Sequence, residues 1–216
     1  METIEIAEYK ATIFRAEDAA NKPVIYLHTA AEEGAQVFAA LEKCCTLVCI
    51  SGIDWNRDMS PWQAKRAFKG GEDFAGGAGA YLERLSGLIV PEVEKHLGFT
   101  PAKRGIAGYS LGGLFALWCL YNSDMFKLAA SASGSLWFDG WTDYILTEKP
   151  KIQPERVYIS VGDREKNARD QRMRTVEECS RQTAELLSAK FELNEGNHFK
   201  DTDLRTARAI DYIMGA

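Results

Sequence analysis

A chain of 216 residues, 46% hydrophobic and 26% charged with six prolines, has the composition of an ordinary globular protein and can bury one sizeable core. Its net charge of −5, with no stretch that concentrates Lys and Arg among aromatics, argues against a nucleic-acid partner. Met1 to Glu8 carries acidic side chains where a secretory leader is basic, and no apolar run is long enough to span a bilayer, so a cytoplasmic, membrane-free protein is expected.

Thr3 to Ala16 alternates apolar and polar residues and reads as one or two antiparallel strands with one face covered. Short apolar runs follow at Val24–Leu27, Thr46–Ile50, Gly105–Gly108, Leu128–Ala132, Val157–Val161 and Lys190–Leu193, the pattern of parallel strands buried on both faces. Between them Gln36–Lys43, Ala80–Leu97, Leu111–Tyr121, Arg169–Ala189 and Thr202–Ile213 have helical spacing. The alternation predicts an α/β fold, a three-layer sandwich whose mostly parallel central sheet starts with an antiparallel hairpin or strand. No repeat or linker divides the chain, so residues 1–216 are expected to form one domain. Five cysteines is an odd count; Cys44, Cys45 and Cys49 crowd one apolar segment and read as reduced, buried thiols, without the companions a zinc site needs.

Ligands gather at the carboxyl ends of such strands. There Gly108-Tyr109-Ser110-Leu111-Gly112-Gly113 lies where a strand must turn sharply into a helix. The bare Gly-x-Ser-x-Gly pattern is common, and a capping serine in a glycine-rich turn is its bland reading, but the strand–turn–helix setting marks Ser110 as a nucleophile. The helix N-terminus aims free N–H groups at a forming anion, which makes the Leu111 N–H one oxyanion donor.

A serine hydroxyl needs a base. Of three histidines, His96 sits among charges on a helix, and His28 precedes Ser110, the wrong chain order for this fold; His198 follows the last strand on a loop and is the expected base. The acid should follow Val157–Val161, where Asp163 and Glu165 compete. Glu165 has the longer reach to an imidazole, whereas Asp163 abuts a glycine and could cap the turn; Glu165 is favoured. Arg164, Lys166 and Arg169 read as a solvated helix start, with an anionic substrate as the alternative.

With these residues in place the chain resembles the esterase family of α/β-hydrolases that includes enterochelin (siderophore) esterases and esterase D-like carboxylesterases. The resemblance covers most of the chain and is carried by the Ser110 motif, Ser131-Ala132-Ser133-Gly134-Ser135-Leu136-Trp137, Gly162-Asp163-Arg164-Glu165 and Gly196-Asn197-His198. It supports Glu165 over Asp163 and implies ester hydrolysis through an acyl-enzyme. Many relatives have His-Gly where this chain has His28-Thr29-Ala30, which leaves the second oxyanion donor open between Thr29 and Ala30. An extra N-terminal domain and a lid insertion, found in some relatives, are not seen, which speaks against a ferric-siderophore substrate.

Trp55, Asn56 and Trp137 also follow strand ends and read either as walls of a substrate pocket or, for the tryptophans, as core. The long connection Arg57–Gly79 is expected to cover one side of the site. The expected function is a carboxylic ester hydrolase that needs neither metal nor organic cofactor and acts on a small-molecule ester. An acyltransferase using the same acyl-enzyme, or a binding protein on a hydrolase scaffold, are the alternatives.

Overall fold

The computed structural model describes residues 1–67 and 70–215. Strands β1 (Glu2–Ile6), β2 (Tyr9–Phe14), β3 (Val24–His28), β4 (Thr46–Ser51), β7 (Arg104–Tyr109), β8 (Leu128–Ala132), β9 (Arg156–Gly162) and β10 (Lys190–Asn194) form one sheet in the order β1-β2-β4-β3-β7-β8-β9-β10, while β5 (Gln63–Ala64) and β6 (Phe74–Ala75) make a small separate ribbon. β1 and β2 pair antiparallel, β2 meets β4 antiparallel, and every later neighbour is parallel. The interior strands read as continuous apolar runs because helices cover both their faces: β3 is buried at all five positions.

Helices α1 (Ala31–Ala40) and α9 (Thr202–Met214) lie on one face, over Leu27, Ala107 and Ala130. The other face carries the larger core, with α5 (Leu111–Asn122) at its centre, buried at ten consecutive positions from Gly112 to Tyr121. The same core takes in residues of α3 (Ala78–Arg84), α4 (Val90–Leu97), α6 (Trp141–Thr147) and α8 (Val176–Leu186), while the short helices α2 (Trp55–Asp58) and α7 (Gln171–Arg174) contact α3 and α8 respectively.

α3 and α4 are one helix joined by a wider π turn at Leu85–Ile89. Its buried stripe, Tyr81, Leu85, Ile89, Val93 and Leu97, steps by four residues. Such a stripe drifts by about 40° per step around a regular α-helix, and the wide turn takes up the drift. At one end Tyr81 meets His28 edge to face; at the other the Glu94 carboxylate accepts from Arg104 at 2.5 and 2.8 Å.

Several boundaries depart from the sequence reading. α1 begins at Ala31, five residues earlier than its apolar spacing shows, because its first turn, Ala31-Glu32-Glu33-Gly34, carries acidic residues and leaves its two glutamates exposed. The helical stretch 169–189 is two helices meeting at Thr175. The connection 57–79 carries the end of α2, the ribbon and the start of α3; its positions 68 and 69 lie outside the described residues. Cys45 and Cys49 are buried as expected but Cys44 is exposed, a correction that follows from its place in the turn before β4. Among the described residues no helix is long and apolar enough to cross a membrane.

Candidate active site

The nucleophile-type turn is built by close backbone approach. A Cβ on Gly108 would lie 2.1 Å from the Gly112 carbonyl carbon and 2.2 Å from its oxygen, and one on Gly113 would meet the Ser131 hydroxyl at 2.7 Å, so β7 and α5 touch where no side chain fits. Ser110, between them, is held at φ 55°, ψ −121°, a region L-residues seldom occupy. Its carbonyl accepts from Gly113, Leu114 and Ser135, and its N–H donates to Ala132 at 3.3 Å, so the strained backbone is fixed from several sides.

His198 and Glu165 reach Ser110 from two other strand ends. The Ser110 hydroxyl lies 3.2 Å from His198 Nε2, and His198 Nδ1 lies 2.7 Å from Glu165 Oε2. Glu165 is buried, on a short turn after β9, and its other oxygen accepts the Gly162 N–H at 2.7 Å. Burial pushes its acidity down, but the hydrogen bond and charge of His198, the Gly162 N–H and the Ser133 hydroxyl outweigh that and hold the carboxyl below its ordinary value. An ionised Glu165 makes Nδ1 the protonated nitrogen, which leaves Nε2 free to accept from Ser110. Asp163 instead accepts the Gly196 N–H at 2.7 Å, capping the loop that carries His198.

Four residues to which the motifs assigned no role surround these three side chains. Tyr109 donates its hydroxyl to the His198 carbonyl at 2.7 Å, and Ser135, buried, places its hydroxyl 3.3 Å from that of Ser110. Ser133 lies beside Glu165 at φ 46°. Arg205 is buried under the His198 loop and donates to the carbonyls of Glu195 (2.8 Å) and Asn197 (3.0 Å). Its signal was available: Arg205, Ala209 and Ile213 share one face of α9, and an arginine in an otherwise apolar stripe implies a buried partner.

Of the two candidates for a second backbone donor, the Thr29 N–H is already given to the Ile50 carbonyl at 3.1 Å, and the Thr29 hydroxyl bonds the Glu33 carboxylate. Ala30 is the N-cap of α1, and its side chain closes no cap hydrogen bond. Leu111 opens α5 as its first residue. His28 is fully buried edge-on to Tyr81 and Phe115, with ring centroids 5.5 and 5.2 Å away; burial pushes its basicity down to about 3, so its ring is neutral. His96 is a surface residue whose Nε2 meets Glu2 at 3.0 Å.

Ser110 and His198 open into a cavity of about 310 Å³ whose walls include Leu27, Glu33, Val37, Phe199, Asp203 and Thr206. Trp55, Asn56 and Trp137 are absent from that lining. Trp55 lies over Gly112, 3.6 Å from where its Cβ would be; Asn56 donates to the Glu72 carbonyl at 3.2 Å; Trp137 packs on the larger core with Arg172 over its ring. Arg164, Lys166 and Arg169 are exposed and also outside the lining.

This sheet order, with a serine on a strained strand-to-helix turn and a histidine after the last strand, defines the α/β-hydrolase class. The chain belongs to the esterase family: the family model described as "Putative esterase" matches residues 17–202. An IroE-like serine hydrolase from Shewanella oneidensis has the same fold with TM-score 0.79 at 17% identity, covering 98% of this chain and 78% of that one. The siderophore hydrolase EstA from Aspergillus nidulans superposes with TM-score 0.73 at 17% identity, covering 95% and 89%. The uncharacterized protein YbbA of Bacillus subtilis is 28% identical over 136 residues, 62% of this chain; the match spans about half, 54%, of that relative's length.

Proposed function

We propose that this protein is a serine hydrolase that cleaves carboxylic esters through an acyl-enzyme on Ser110. The observation that carries the reading is the unbroken line from the Ser110 hydroxyl through His198 to a buried, ionised Glu165, at 3.2 and 2.7 Å. His198 takes the Ser110 proton as the oxygen attacks the ester carbonyl, then returns it to the departing alcohol; water repeats the sequence and frees the acid. Glu165 holds the imidazole in the required tautomer and stabilises the imidazolium. Leu111 and Ala30 N–H groups hold the oxyanion, the Thr29 N–H being committed elsewhere.

One sheet runs through the chain from β1 to β10, which supports treating residues 1–216 as a single hydrolase domain. Side chains, backbone and water account for every step drawn, and a small-molecule ester fits the cavity beside Ser110. The test is a fluorophosphonate probe with a graded series of p-nitrophenyl esters. Wild type should label and turn over, and Ser110→Ala should do neither. A folded wild type that neither labels nor hydrolyses any ester would leave a binding protein on this scaffold as the better reading.

A further inference from the structure

We propose that Arg205 is a positioning residue for this reaction: one buried guanidinium fixes the loop that carries His198 and sets a standing positive charge beside the Glu165 carboxylate. The inference rests on the ester-hydrolase reading above. Arg205 rises from the first turns of α9, and its side chain is 3% exposed. Nη2 donates to the Glu195 carbonyl at 2.8 Å, and Nη1 donates to the Asn197 carbonyl at 3.0 Å, the Ser133 hydroxyl at 3.3 Å and the Tyr109 hydroxyl at 3.4 Å. Tyr109 in turn grips the His198 carbonyl, and Asp163 takes the Gly196 N–H. Every residue from 195 to 198 is therefore tied by a main-chain group, and two of those four ties are made by Arg205.

A buried guanidinium is costly without a counter-charge. Among the described residues the carboxylate within ion-pair distance of Arg205 is Glu165, whose Oε1 lies 3.6 Å from Nη1. The two oxygens of Glu165 thus face different groups: Oε2 meets the His198 imidazole, and Oε1 turns toward Arg205, whose guanidinium is always charged. The backbone makes room for this. A Cβ on Gly162 would come within 3.1 Å of both Arg205 Nη1 and Glu165 Oε1, and within 2.4 Å of the Gly196 carbonyl. A planar fork with fixed donor directions suits these two carbonyl and two hydroxyl partners at once; an ammonium supplies the charge without that geometry.

The two parts of the role separate by substitution. The charged and titratable groups around His198 are Glu165 on the turn after β9, Arg205 on α9, Tyr109 on β7, Asp163 at its own loop, and Glu33 and Asp203 on the cavity wall. Arg205→Met removes the nearby cation together with its donors, so imidazole protonation is less opposed and the acid limb of kcat/KM should move to higher pH by roughly half a unit or more. Arg205→Lys keeps the charge and loses the fork, so the limb should stay where it is in wild type. Turnover per active site should fall at least about tenfold in both, because the His198 loop is released.

The experiment measures kcat and the pH profile of p-nitrophenyl acetate hydrolysis for wild type, Arg205→Met and Arg205→Lys, with sites counted by fluorophosphonate titration and folding followed by thermal denaturation. A merely structural role lowers the melting temperature without moving the acid limb of the molecules that still titrate. An unmoved limb in Arg205→Met, or wild-type turnover per site in Arg205→Lys, overturns the proposal, and the lysine variant alone decides if the methionine variant does not fold. A wild type that does not react with the probe defeats the ester-hydrolase reading itself, before any variant is compared.

Discussion

Replacing Glu165 by glutamine changes one atom of a buried side chain, yet its surroundings leave the amide no good orientation. Glu165 Oε1 accepts the Gly162 N–H and Oε2 faces His198 Nδ1, both at 2.7 Å. With the amide oxygen on Gly162, the NH2 group points at Nδ1, which must then accept; the ring proton moves to Nε2, and the imidazole presents a donor to Ser110 where an acceptor is needed. With the amide reversed, NH2 faces the Gly162 N–H, and a buried donor left unmatched costs about 1–3 kcal/mol, roughly a fivefold to hundredfold depletion of the competent form. Losing the negative charge beside the imidazolium forfeits a charge-assisted bond of about 1.5–3 kcal/mol in addition. Together these lower kcat by at least about a hundredfold. Asp163→Asn keeps an oxygen for the Gly196 N–H, so kcat should stay within about threefold. The assay is kcat on p-nitrophenyl esters per fluorophosphonate-titrated site. Near-wild-type turnover in Glu165→Gln, or the larger loss in Asp163→Asn, would refute the reasoning.

The two glycines flanking Ser110 should differ. Gly108→Ala forces a methyl to within 2.2 Å of the α5 backbone and should destabilise by about 3 kcal/mol or more, whereas at Gly112 the nearest atom is 3.6 Å away and Ala should be neutral or stabilising by up to about 1 kcal/mol; urea midpoints of the two variants test the ranking. The second expectation concerns His28, neutral in the fold with its basicity at about 3 against an ordinary 6.5. The unfolded chain binds this proton first, so the stability His28 contributes is intact above about pH 6.5 and declines as pH falls toward 3, by up to about 2 kcal/mol between pH 6.5 and 5. Glu165, held below its ordinary 4.5, adds a loss of the same sign only below about pH 4.5. Denaturant titrations across pH 5–7 should show that slope in wild type and lose it in His28→Phe.

The grouping of Ser110, His198 and Glu165 was legible because each of them is announced by backbone chemistry: glycines where a strand meets a helix, a carboxylate three residues past a strand-end glycine, a histidine on the loop after the last strand. The strands were legible for the same kind of reason, since burial on both faces writes an apolar run. What depended on side-chain direction was not. Trp137 follows a strand end as a pocket residue would, but Leu136 and Phe138 are buried beside it and draw it onto the core. The cavity wall is drawn partly from the acidic first turn of α1, which has no apolar period to betray it as helix. Arg205 lies 95 residues from Ser110 in the chain and joins the site only through packing, so no local pattern names its partners, though its place in the apolar stripe of α9 marks it as unusual.

The wide turn at Leu85–Ile89 sets the permitted residue count of the helix around it. Deleting one residue there would restore an even spiral but swing everything downstream by about 100°. Tyr81 would then keep its place against His28 while Glu94 lost Arg104, or the converse. A single helix therefore serves two distant neighbours that a regular one of shorter length could not satisfy together, and this segment should tolerate exchange of its side chains far better than any change in its length.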